Sequence, residues 1–355
     1  MKRRWISVLT VMVFAATLMA WLAVLPNKAL AKDKPIIIKI PTITPKSPPS
    51  LAPSSQAVAF LKKKLEQKSG GRFKVKVYWS SSLYRDDATQ YAALRDNVIQ
   101  VAFSTGARMG MEIPEVTLLS LPFVFKDMEH FRRFAYGPKG FNPKGSPGTK
   151  LFAPLYAKKD YKFIAFWPLA FQNFVSSKGF LTKPEDFKGI KFRIRQSNLA
   201  AEITESFGGS AQAIPYMESY TALSLKTVDA AECPLYIMQA VKWHETGDYI
   251  TLSRHSILEA AVLTNPVFYN GLPEDLKKIF DEAMEEATAF MYKADISLER
   301  MMPWFMMSQK PSLQFKWLSE EQRGKLKEHV KPLLDKYRKT IPKEFWDAVD
   351  ATRPK

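Results

Sequence analysis

Between residues 36 and 103 the sequence alternates strand and helix patterns, and that order constrains the fold more than any other feature. Residues 36–40 form a β-branched run read as a first strand. A loop rich in Pro, Ser and Thr follows. Residues 55–68 then place Val58, Leu61 and Leu65 on one helical face, and Gly70-Gly71 closes the helix. Residues 72–79 alternate Phe73, Val75, Val77 and Trp79 with basic residues, the pattern of a half-buried strand. Residues 86–96 read as helix and 98–103 as an apolar strand. A β-α-β-α-β order favours an open sheet with helices on both faces. Small ligands in such sheets settle beyond the carboxyl ends of the strands. That points to residues 42–44 and 104–105 and makes Thr44 and Ser104 candidate hydrogen-bond donors by position. Further strands are expected at 161–167, 190–194 and 228–231, and helices at 274 to about 307 and 320–337.

The 355 residues, 46% hydrophobic and 25% charged, suit a folded chain of about two domains and exclude intrinsic disorder. Lys2-Arg3-Arg4, an apolar run from Trp5 to Leu25 and Ala29-Leu30-Ala31 follow the order of a secretory signal, with cleavage expected after Ala31. The alternative is that about 20 apolar residues stay on as an anchor. Either way the folded part is placed outside the cytoplasm, in the periplasm. The net charge of +17 is inflated by this segment; without the four basic residues among the first 31, the excess is 13. Lysines are spread along most helices, which argues against nucleic acid as a partner and for a field that attracts small anions.

Several chemistries are missing. One cysteine, Cys233, excludes a disulfide framework and multi-cysteine metal sites. The four histidines show no metal-ligand spacing, and His244 beside Glu245 reads as a surface pair. There is no P-loop, dinucleotide fingerprint or G-x-S-x-G elbow. No clustered base and nucleophile stand out, so an enzyme is not expected.

Pro184-Glu185-Asp186-Phe187-Lys188-Gly189-Ile190-Lys191-Phe192-Arg193-Ile194 resembles the "P-E-D-L-K-G-L-K-I-R-V" stretch of the DctP-like extracytoplasmic solute receptors of the TRAP transporters. Four more segments match that family in order: Gly70-Gly71-Arg72-Phe73-Lys74-Val75, Leu121-Pro122-Phe123-Val124-Phe125-Lys126-Asp127, Tyr220-Thr221-Ala222-Leu223 with Val228-Asp229-Ala230-Ala231-Glu232, and Leu272-Pro273-Glu274. The resemblance implies an α/β, two-lobed periplasmic-binding-protein-like fold, with a ligand cleft between the lobes and a long bridging helix starting near Glu274. Lobe I would take residues 32–168 and about 257–295, lobe II residues 169–256, and residues 296–355 would pack across both. The chain would cross between lobes near 167–170 and 256–263.

The implied function is binding of a small organic acid and its delivery to a TRAP membrane permease, by a monomer or alternatively a dimer. An exported sensor component or a cleft enzyme acting on organic acids is the rival class. Arg193 matches the arginine that grips the substrate carboxylate in the family, a task suited to a planar guanidinium. Strict alternation puts Arg195 on the same face, so pattern alone does not separate the two. Gln172 stands where many members carry a second arginine; it brings no charge, which argues against a dicarboxylate and for a monocarboxylate. Cys233 follows Glu232 at a position that often touches ligand, and is equally suited to core. Glu232 is structural or helps hold a cation bridging ligand and protein; otherwise no cofactor is expected. Phe171 and Tyr236 are candidate aromatic walls, among Trp79, Trp167 and Tyr216.

Overall fold

The computed structural model describes residues 34–46, 52–84 and 86–354. The export signal read over residues 1–31 lies outside the described residues. The chain divides into Met1–Ile36 and Ile37–Lys355; only residues 34–36 of the first unit are described, and the account below concerns the second. Among the described residues no helix is long and apolar enough to cross a membrane.

Strands β1 (Ile36–Pro41) and β2 (Phe73–Tyr78) form a two-stranded sheet. β3 (Val101–Thr105) and β4 (Lys162–Phe171) flank the late strand β10 (Ile257–Thr264), antiparallel to both. The six-stranded sheet runs β11 (Gln314–Trp317), β9 (Tyr249–Leu252), β5 (Asn173–Ser176), β8 (Ala230–Cys233), β6 (Lys191–Ile194), β7 (Ser210–Ala213). The early β-α-β-α-β segment therefore does not build one sheet. The third strand also starts later than residue 98, because Asn97 adopts φ 57° and turns the chain, leaving Val98 49% exposed.

Two groups of aromatic contacts lie within one continuous hydrophobic core. In one, Phe152 packs edge-on against Phe134, Phe166 and Phe345. In the other, Phe174 meets Phe187, Phe192 and Phe207 in the same way. Such offset and edge contacts are the preferred aromatic geometries and add to area burial.

The long helix Glu274–Gln309, 36 residues and so roughly 54 Å, binds both lobes. Pro273 at its N-cap and Glu274 and Asp275 in its first turn fit the start of a helix, where N–H groups are orphaned and the dipole is positive. Against lobe I it stacks Phe290 on Phe60 at 4.8 Å, and Thr288 Oγ1 accepts from Trp167 Nε1 at 2.9 Å. Lys64 and Lys68 reach Glu286 at 2.6 and 2.7 Å. Its far end buries Met302 and Met306 in the cluster holding Met238 and Trp243 of lobe II. The carboxyl-terminal helices touch both sides too: Phe345 lies against Phe152 at 5.1 Å, and Lys336 pairs with Glu202 at 2.7 Å.

The chain changes sheets at two places that sit together. β4 keeps its pairing with β10 through Phe171, past an irregular register at Ala170, whose φ is 66°. The chain leaves this sheet at Gln172, next to the crossing expected near 167–170, and returns to it through residues 253–256, next to the one expected near 256–263. The two crossings are tied: Gln172 N donates to Ser256 O at 2.8 Å, Gln172 Nε2 to Ser256 Oγ at 2.9 Å, and Arg254 N to Asn173 Oδ1 at 3.2 Å.

Candidate functional site

The parallel strands β6 and β8 are in register at Arg193↔Ala231, so their carboxyl ends lie side by side. One carries Arg193 and runs straight on into Arg195, the other carries Glu232 and Cys233. β5 runs antiparallel to β8 with Asn173 opposite Cys233, which brings Gln172 to the same edge. β9 is antiparallel to β5, so residues 253–256 arrive there as well. A charged cluster thus forms where strand ends and lobe crossings coincide, the usual ligand position in open α/β sheets.

Arg193 is 7% exposed. Its Nε donates to Ile214 O at 3.0 Å and its guanidinium lies 5.4 Å from the centre of the Trp243 ring. Trp243 is held in turn by Nε1 donating to Ser219 Oγ at 2.9 Å. Among the described residues, the two terminal nitrogens of Arg193 have no hydrogen-bond or ion-pair partner. Burial, with the charge of Arg195 nearby, lowers its pKa to about 10. It stays a cation at neutral pH, largely desolvated and without an ion-pair partner among the described residues, although the Glu232 charge reaches it, an arrangement proteins ordinarily avoid unless a partner arrives.

Arg195 is in the opposite condition. Its Nη2 donates to Gln172 Oε1 at 2.8 Å and lies 3.5 Å from Glu232 Oε1. The other oxygen of Glu232 accepts from His255 Nε2 at 2.9 Å. Burial opposes the charge on Glu232, but the His255 hydrogen bond and the Arg195 charge outweigh it and hold the carboxyl below its ordinary range. His255 stacks on Phe174 at 4.3 Å, and its Nδ1 meets Ser253 Oγ at 2.7 Å. Ser253, His255 and Glu232 imitate the order of a hydrolytic triad, yet Ser253 and His255 are both 0% exposed. A nucleophile must reach its substrate, so this relay is a support. Cys233 is buried, which pushes its thiol up to about 12.

The remaining expected residues lie elsewhere. Phe171 is buried beneath the Arg254 guanidinium at 5.1 Å. Tyr236 is buried, and its hydroxyl is pushed well above its ordinary range by burial. Ser104 Oγ accepts from Tyr91, and Thr44 pairs its hydroxyl with Thr42 at 2.9 Å. No described contact joins either to the arginine cluster. Trp167 is pinned to the long helix. His244 is 1% exposed, so it is not a surface pair with Glu245: its helix turns the ring inward beside buried Trp243. Sequence reasoning missed Trp243, His255, Ser256 and Glu259; the one available signal was the polar run Ser253-Arg254-His255-Ser256 between two apolar strands. Glu259 accepts from Gly106 N at 3.0 Å and from Ser120 Oγ at 3.3 Å, and burial raises its carboxyl to about 7. A Cβ at position 106 would collide with Glu259 Oε1, so a larger residue there would displace the Glu259 carboxylate. Among the described residues no group of three or more His, Cys, Asp or Glu is placed to hold a metal ion.

Two lobes, two tied crossings, a helix spanning both and an unpartnered cation where strand ends converge define a solute-binding protein. The chain belongs to the bacterial extracellular solute-binding protein family 7 (DctP), whose model matches residues 46–340. It is 29% identical over 323 residues to the C4-dicarboxylate-binding periplasmic protein DctP of Rhodobacter capsulatus, covering 90% of this chain and 92% of that one. It is 30% identical over 224 residues to the C4-dicarboxylate-binding protein DctB of Bacillus subtilis, a match spanning 63% of this chain and only 61% of the relative. A succinate-bound TRAP periplasmic solute-binding protein from Shewanella oneidensis superposes with a TM-score of 0.80 at 25% identity, covering 90% of this chain and all of that one. The family consists of receptors, not enzymes, and acts outside the cytoplasm.

Proposed function

We infer that this chain is a periplasmic receptor that closes on a small organic carboxylate and hands it, chemically unchanged, to a TRAP-type permease. The observation that carries the reading is Arg193: a buried guanidinium with both terminal nitrogens uncommitted is shaped to take the two oxygens of one carboxylate. The relatives point the same way, since their names and bound ligands are C4-dicarboxylates and succinate. Ligand meets Arg193 directly and without a metal, because both oxygens of Glu232 are already engaged. One chain supplies the whole cluster, so a monomer suffices. Residues 1–31 serve export and are removed after Ala31. Gln172 and residues 253–256 form the pivot on which lobe I and lobe II close.

The test is calorimetric titration of the mature protein with small organic acids. One or more should bind without turnover, and Arg193→Ala should weaken that binding by about 2–5 kcal/mol, roughly 30- to 4,000-fold in Kd. Unchanged affinity in Arg193→Ala refutes the assignment. Mass spectrometry of the exported protein should find Lys32 at its amino terminus.

A further inference from the structure

We propose that the bare half of the long helix docks this protein onto an anionic lipid surface, through Met301, Trp304 and Phe305 flanked by Lys293 and Arg300. The helix Glu274–Gln309 changes character along its length. One face of its first half is covered by the helix Pro53–Lys68: Phe60 stacks on Phe290, and Glu282 and Glu286 pair with Lys68 and Lys64. At 3.6 residues per turn that face continues through Lys293, Ser297, Arg300, Met301, Trp304 and Ser308, and all six are exposed. Trp304 is 73% and Met301 65% exposed, with Phe305 exposed beside them. The opposite face buries Met302 and Met306, so the stripe is the outer side of a packed helix. Among the described residues neither Lys293 nor Arg300 has an ion-pair partner. The acids nearby are committed or hidden: Glu299 lies 3.8 Å from Arg254, Asp248 pairs with Lys310 at 2.6 Å, and Asp295 is buried.

The helix dipole does not account for these two cations, because it favours them only in the last turn and both lie more than two turns before the end. It accounts still less for the apolar side chains. Together those offer on the order of 400 Å², the size of patch that marks an interaction surface on a monomer. A stable dimer or a specific protein contact buries about 800 Å² on each partner, roughly twice as much. A lipid surface has no such threshold. It is fluid, takes a convex ridge without a matching groove, and gains with each apolar group inserted and each cation brought to an anionic headgroup. Trp and long basic side chains suit that level of a bilayer, since each has an apolar body and a polar end. The contact keeps the receptor at the membrane that holds its permease. It stands apart from the reading of Arg193.

The experiment is co-sedimentation of the mature protein with vesicles of phosphatidylcholine alone or mixed with phosphatidylglycerol, at low and high salt. The wild type should bind the anionic vesicles about tenfold tighter than the neutral ones, and salt should weaken that binding. Trp304→Ser should weaken it tenfold or more, and Arg300→Glu should abolish the preference for anionic lipid. Both changes fall on exposed side chains, so the melting temperature should not move. Lys74→Glu makes the same charge change beside Phe73, which packs on Phe280 near the other end of the helix, and should bind as the wild type does. A wild type that ignores anionic vesicles overturns the proposal. So does Trp304→Ser binding undiminished, or Lys74→Glu losing as much as Arg300→Glu, which would make the attraction one of overall charge. Sedimentation equilibrium supplies the remaining outcome: a dimer that Trp304→Ser dissolves would show that a second copy covers the stripe, and would overturn the lipid assignment.

Discussion

Glu259 offers the sharpest check on the electrostatics of the lobe crossing. Its carboxyl, on β10, is fully buried, accepting from Gly106 N and Ser120 Oγ, and burial pushes its pKa up to about 7 against 4.5 for a free glutamate. Burial raises it more than these two donors and the Arg195 charge lower it. A tenfold change in proton affinity corresponds to about 1.4 kcal/mol, so holding this proton from pH 4.5 up to 7 amounts to something on the order of 3 kcal/mol. The sign follows from linkage. Below about pH 4.5 folded and unfolded chains both hold the proton and the residue costs nothing. Between pH 4.5 and 7 the unfolded chain loses the proton while the folded chain keeps it, so stability falls as pH rises; above 7 the loss is complete. Glu259→Gln removes the titration, and its oxygen still accepts from Gly106 and Ser120. Urea unfolding at pH 5 and pH 8 measures the effect. The variant should gain on the wild type by about 2–3 kcal/mol between those two pH values, whatever the fixed cost of the amide. An equal difference at both pH values would refute the reasoning.

Other outcomes follow from single contacts. The Cys233 thiol, buried and pushed up to about 12, should resist a disulfide reagent at pH 8 in the folded protein and react fully in urea. Trp167→Phe removes the donor to Thr288 on the long helix and leaves a buried hydroxyl unmet, which should cost about 1–3 kcal/mol in urea unfolding. A variant as stable as the wild type would show that this tie does not help hold the helix to lobe I.

What the sequence made legible was local. The long helix announced itself by Leu272-Pro273-Glu274 and sustained periodicity, and the structure extends it to Gln309. The turn at Pro184 and the strand carrying Arg193 were readable for the same reason, being set within a dozen residues. Sheet partnership was not readable. β3 pairs with β10 across more than 150 residues, and no pattern inside either strand names the other. The site shared that limit. Alternation placed Arg193 and Arg195 alike; only the surroundings, Trp243 and Ile214 on one side and Gln172 and Glu232 on the other, distinguish the cation without an ion-pair partner from the one that has one. His255 and Ser256 showed only as part of a polar run between two apolar strands; their roles exist only after two distant crossings are brought together.

Gln172 belongs at once to the pivot and to the charged cluster: its amide nitrogen holds one strand to the other while its oxygen steadies Arg195. If cargo is gripped and the halves swing as proposed, grip and swing share an axle, and substituting Gln172 is expected to alter affinity and release together rather than one alone.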